Sequence, residues 1–241
     1  MPVRTRQSRG LLLVNSAVVL FGLAGVLGQM SGLPALIIVL GRVAVAAPAL
    51  LTIALLARAP LWPATRGSVL LLTGQGVLLA VHWLAFFESI RVSTVAIGLL
   101  SFSSFPLFTA FLEPALLRQP LQRSALAGAL LVIVGIVFLV PSLSLTNTTT
   151  QGVLWGLLAG LTFAVLSVAN RWLGQSHSSL TISLYQDTVA ALALGGALLV
   201  TRQALILTTR QLVLLLILGL ACTALAHTAF IAGLRVVNAQ L

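Results

Sequence analysis

The 241-residue chain is 59% hydrophobic and 7% charged, with a mean hydropathy of +1.15, where a soluble domain carries about 25% charged residues. Too few polar side chains are present to cover a water-facing surface, so a soluble domain is excluded and an integral membrane protein is indicated. The net charge of +10 would suggest nucleic acid in a soluble protein. Here the basic residues, all of them Arg, fall mostly between apolar runs, where they set orientation, and no nucleic acid is expected as a partner.

The first apolar run follows Arg4, Arg6 and Arg9, as in a signal peptide. Seven further runs follow it, so it reads as an uncleaved first helix. A spanning helix needs about 20 apolar residues. Eight runs meet this, at about 11–29, 34–57, 68–88, 93–112, 124–140, 152–173, 180–200 and 211–233. They are long and do not alternate, which favours helices over barrel strands. Short connections marked by Gly32-Leu33-Pro34, Pro60 with Pro63, Pro120 and Pro141 make consecutive helices antiparallel neighbours.

With the amino terminus in the cytoplasm, Arg4, Arg6, Arg9, Arg58, Arg66, Arg118, Arg123, Arg171 and Arg235 lie inside and Arg91, Arg202 and Arg210 outside, nine against three. The cytoplasmic amino terminus follows. The longest polar stretch, Ser142 to Gln151, reads as an extracytoplasmic linker. Its Asn147-Thr148-Thr149 pattern reads as part of a polar loop rather than a glycosylation site.

The two sides of this linker repeat each other. Gly10 and Phe21 align with Gly152 and Phe163 at an offset of 142, and Arg42 falls opposite Asp187 at 145. Gly74 and His82 align with Gly219 and His227, and after a one-residue gap Arg91 aligns with Arg235. Five helices in the first unit make the second enter from the opposite face. The fold class expected is an all-α integral membrane bundle, an inverted repeat of five-helix units with about eight helices present. Residues 1–141 form the first repeat and 142–151 the linker. Residues 152–241 form an incomplete second repeat, about two helices short of ten and ending at Leu241.

Residues 81–121, VHWLAFFESIRVSTVAIGLLSFSSFPLFTAFLEPALLRQPL, combine an aromatic-rich third helix, a Ser/Thr-Val-Ala entry to the fourth, and Pro106 and Pro114 within it. This pattern resembles the EamA-type branch of the drug/metabolite transporter superfamily. The resemblance implies ten helices in two halves and a bacterial inner-membrane carrier, often an exporter, of amino acid-like or drug-like metabolites. Where that family has a Gly-Glu pair after helix four, this chain reads Arg118-Gln119.

Ionisable groups inside a bilayer are costly and are candidates for function. His82 shares a helical face with Gln75 and Phe86 and could bind a substrate amine or carboxylate or relay a proton; packing is the alternative. Trp83, Phe86, Phe105, Asn15, Trp155 and His227 complete the candidate cavity, although Trp155, like Trp62 and Trp172, also fits an interface belt. Arg42 and Asp187 are expected to pair across the repeat axis as a tie or gate. Glu88 falls near the outer surface. Glu113 is expected to pair with Arg118 or Arg123, and with His82 or His227 it is a candidate proton carrier. The glycine stripes Gly152/Gly156/Gly160 and Gly22/Gly25/Gly28 read as helix packing.

Catalytic motifs are absent from the sequence, so an enzyme is not expected. Three acids and the single Cys222 argue against a metal site, and no cofactor is expected. The expected partners are the bilayer, a small-molecule substrate, a coupling proton and a second copy in a homodimer. The function expected is alternating-access transport, with a membrane scaffold or inactive carrier as the alternative.

Overall fold

The computed structural model describes residues 3–63, 65–118, 123–140 and 144–237. Its helices are α1 (Val3–Ser31), α2 (Ala35–Leu56), α3 (Arg66–Val92), α4 (Val95–Phe102), α5 (Phe105–Leu117), α6 (Arg123–Leu139), α7 (Thr148–Leu173), α8 (Ser179–Thr201), α9 (Thr209–Gly219) and α10 (Ala226–Leu234). A π-helical segment, Leu220–Leu225, joins α9 to α10. These segments form eight traverses, the fourth from α4 with α5 and the eighth from α9 to α10. Seven are long and apolar enough to cross a membrane, and α6 is the short one at 17 residues. The result is an all-α, multi-pass membrane bundle. Gln119, Pro141, the first two linker residues and Leu241 lie outside the described residues.

Backbone groups in lipid must be satisfied within the protein, and short polar side chains do this at the helix starts. Thr65, Thr94, Ser178 and Thr208 each accept a backbone N–H three residues on. Asn147 accepts from the amides of Thr149 and Thr150, at 2.9 and 3.2 Å. This corrects the linker. Residues 148–151 are the first turn of α7, and the Asn147 side chain is its cap.

The expected single helix at 93–112 is also corrected. It breaks at Ser103-Ser104, and Pro106 sits in the first turn of the new helix, where a missing N–H costs nothing. Ser103 Oγ donates back to the Leu99 carbonyl at 2.8 Å, so the break leaves that group partnered.

The packing pattern is paired. α3 lies along α7, and α1 lies along the eighth traverse. α2 packs on α8, and the contact of α3 with α8 is matched by that of α2 with α9 and the π segment. Exchanging traverses one, two and three with six, seven and eight maps this pattern onto itself. Gly10, early in α1, lies against Val236 and Val237 at the end of the last traverse, whereas Gly152, early in α7, lies against Ser93 and Ile97 at the opposite end. The two units therefore enter from opposite ends of the bundle.

The α7 glycines explain how closely its neighbours approach. A Cβ on Gly156 would strike Ser101 and Ser89, and one on Gly160 would strike Ser104 and the Phe102 carbonyl. Ser89 Oγ donates to the Gly152 carbonyl at 2.6 Å across the same seam. Gly22, by contrast, faces open space. Gly156→Val is therefore expected to destabilise the protein by about 2 kcal/mol through overpacking, read by unfolding in mixed micelles, with Gly22→Val within about 0.5 kcal/mol of wild type.

Candidate functional site

The third helix delivers His82, Trp83 and Phe86 to the centre of the bundle, all buried. They meet Phe21 and Ala24 of α1, Arg42 of α2, Phe102 of α4, Phe163 of α7 and His227 of α10 around a narrow cavity of about 20 Å³, room for about one water. The walls are largely aromatic. Phe163 contacts Phe21, Phe102, Phe105 and Phe230 with ring centroids 5.1–5.9 Å apart. The His82 ring lies 5.1 Å from Phe163 and 5.6 Å from Phe102. His82 Nδ1 is 2.9 Å from the Ala159 carbonyl. A carbonyl only accepts, so Nδ1 carries a hydrogen and donates it.

Arg42 is the charged member of this wall. Its guanidinium stacks over Trp83, 4.3 Å from the ring centroid, and lies 5.5 Å from that of Phe87. Nε donates to Thr223 Oγ1 at 2.7 Å and Nη2 to the Cys222 carbonyl at 2.8 Å. The π segment supplies both acceptors, because its wider turn displaces carbonyls from the ordinary helical ladder. Thr223 Oγ1 in turn donates to the Leu218 carbonyl at 2.7 Å.

The expected Arg42–Asp187 contact is corrected. The two act on each other electrostatically, but among the described residues no ion pair within 4.0 Å joins them. Asp187 instead faces His227, with Oδ1 at 3.6 Å from Nδ1, both side chains buried. Arg42 donates instead to acceptors of a widened helix turn, which bond two of its N–H groups. Glu113 is likewise corrected. It pairs with Arg171 of α7, a partner distant in the chain, while the Arg123 side chain lies outside the described residues.

The other candidates spread out. Gln75 lies two turns from His82 towards the amino-terminal end, outside the cavity. Gln186 Nε2 donates to its Oε1 and to Asn170 Oδ1, the latter at 2.6 Å. This amide triad ties α3, α7 and α8 together and is fully buried. Phe105 stacks on Phe102 behind the cavity wall. Asn15 is exposed and donates back to the Leu11 carbonyl at 2.8 Å, so it does not face the cavity.

Trp155, 41% exposed, lines a different space. This is a vestibule of about 790 Å³ at the end away from the amino terminus, walled by Gln29, Pro34, Phe87, Glu88, Arg91 and Gln203 among others. Glu88 and Arg91 pair at its rim, with Nε to Oε2 at 2.8 Å. Phe87 lines the vestibule and also approaches the Arg42 guanidinium, so its ring lies next to both. Phe102 and Gln186 were not among the sequence candidates, and Phe163 was noted only as the repeat partner of Phe21. That alignment was the available signal, since the two rings meet.

The EamA-like transporter family matches residues 8–140 and again 150–241. The chain belongs to that family. Two proteins of Helicobacter pylori, strains J99 and 26695, each named an uncharacterized transporter, are 30% identical over 116 residues. The match covers 48% of this chain and 37% of each relative. A solved crystal structure shares the fold, with a TM-score of 0.74 over 95% of this chain and 79% of that one at 15% identity.

In this EamA-like protein the amide triad closes the amino-terminal end of the site with neutral hydrogen bonds. Gln186→Leu is expected to cost about 1 kcal/mol, the scale of interhelical hydrogen bonds in membranes. Hydrogen exchange should rise at the Asn170 end of α7 and the start of α8, while the α7 residues facing the vestibule stay protected.

Proposed function

We propose that this protein carries a small amphipathic metabolite across the bilayer by alternating access, outward as the family resemblance implies. Residues 1–141 and 152–241 act as the two inverted halves, with the amino terminus in the cytoplasm of a bacterial inner membrane. The observation that carries the reading is the central cavity with its one charged wall, set between a vestibule on one side and a buried amide triad on the other. Binding sites at the midplane between inverted halves are what such carriers use. A scaffold has no use for a vestibule ending beside a buried cation.

His82, Trp83, Phe86, Phe163 and His227 contact the substrate in this reading. The coupling ion is a proton held at the Asp187–His227 pair, whose facing atoms have no hydrogen-bond partner. Glu113, held by Arg171, serves as a tie between α5 and α7.

The test is uptake of a labelled metabolite panel into proteoliposomes holding the whole chain, with and without a pH gradient. At least one solute should enter saturably. Trp83→Ala should lower its uptake by at least about tenfold, the loss of a stacked aromatic contact of 1.4 kcal/mol or more, and His227→Gln should remove acceleration by the gradient. Uptake at the rate of empty liposomes for every solute would favour the scaffold, and equal rates with and without the gradient would remove the proton.

A further inference from the structure

A guanidinium in the apolar core of a membrane bundle is costly to bury, and among the described residues Arg42 has no touching counter-ion there. Its two hydrogen bonds go to a carbonyl and a hydroxyl, which carry dipoles and no net charge. Glu88 is paired with Arg91 and Glu113 with Arg171, so neither supplies one. Asp187 acts on Arg42 only beyond ion-pair distance and is turned to His227. The cavity wall beside Arg42 is otherwise aromatic and apolar except for the two imidazoles.

We infer that Arg42 anchors the anionic group of the substrate, and that the substrates are organic anions, carboxylates above all, with an aromatic or branched apolar body. This rests on the carrier reading above. The guanidinium fork matches a carboxylate in a way an ammonium does not, and the N–H groups beyond the two bonds above can donate to such a partner. The aromatic rings Phe21, Phe86, Phe102 and Phe163 suit the apolar body. Asp187 is fully buried and does not line the cavity, so a cationic substrate would meet Arg42 rather than a carboxylate. Phe87 lines the vestibule and lies 5.5 Å from the guanidinium, so it stands beside the route from the vestibule to the charge.

Three probes of one shape separate the charges: N-acetylphenylalanine, its neutral primary amide, and the cationic phenylalanine amide. Two readouts are taken, uptake into proteoliposomes and protection of the detergent-solubilised protein against thermal unfolding. The acid should be preferred over the amide by at least about tenfold, as for a buried charged hydrogen-bonding group deprived of its partner. Arg42→Gln should erase or reverse that preference. Arg42→Lys, which keeps the charge and loses the fork, should retain a weaker preference for the acid and shows that loss in the Gln variant is not misfolding. Uptake of all three at similar rates, or better uptake of the amide or the cation, overturns the anion assignment and leaves the carrier reading standing. Protection by the acid alone without uptake supports the Arg42 site and removes the carrier reading. Neither protection nor uptake by the acid overturns the assignment.

Discussion

A cation cannot stand bare inside a bilayer, and the centre of this bundle is arranged around that constraint at Arg42. The last traverse would be a plain helix but for six residues of π turn, and those residues present the carbonyl of Cys222 and the hydroxyl of Thr223 to the guanidinium. Trp83 covers its face. Because Arg42 takes its partners from backbone and ring, Asp187 is left to His227. The cavity thus has a charged wall at Arg42, and the His227 imidazole that also lines it is backed by the buried Asp187.

The fold was largely legible because a membrane helix is written in composition. Eight apolar runs became eight traverses, with ends shifted by a few residues at most sites. The repeat was legible too. Residues aligned at fixed offsets are brought together, as an internal two-fold requires: Phe21 touches Phe163, Arg42 feels Asp187, and His82 and His227 line one cavity. Such pairs converge because positions near the axis are their own neighbours across it.

Features that hydropathy does not encode were not legible. A break between Ser103 and Ser104 leaves the apolar run unbroken, since serines bonded back to helix carbonyls are tolerated in lipid. The π turn carries no composition of its own. Glu113 was assigned to arginines near in sequence, whereas the partner it finds, Arg171, comes from a helix beside it in space. Gln186 stood next to the more conspicuous Asp187, and its role depends on two helices distant in the chain.

The repeat also accounts for how differently the two ends are closed. At the offsets that align the halves, Phe87 corresponds to Ala232 and Asn170 to Gly28. Gly28 lies against the Phe87 ring, which lines the vestibule, while Ala232 lines a groove of about 430 Å³ at the other end. Gln75 and Gln186 of the amide triad correspond to Leu220 and Gly41. One scaffold position therefore holds a ring seat at one end and a hydrogen-bonding amide at the other. A ring can swing aside without leaving a polar group unsatisfied, whereas opening the amide layer strands donors and acceptors unless water enters with them. In a carrier of the kind proposed above, parting the amide layer would therefore need water to enter with it. That chemical difference, laid on a backbone whose halves match, gives an otherwise symmetric bundle two chemically unlike ends.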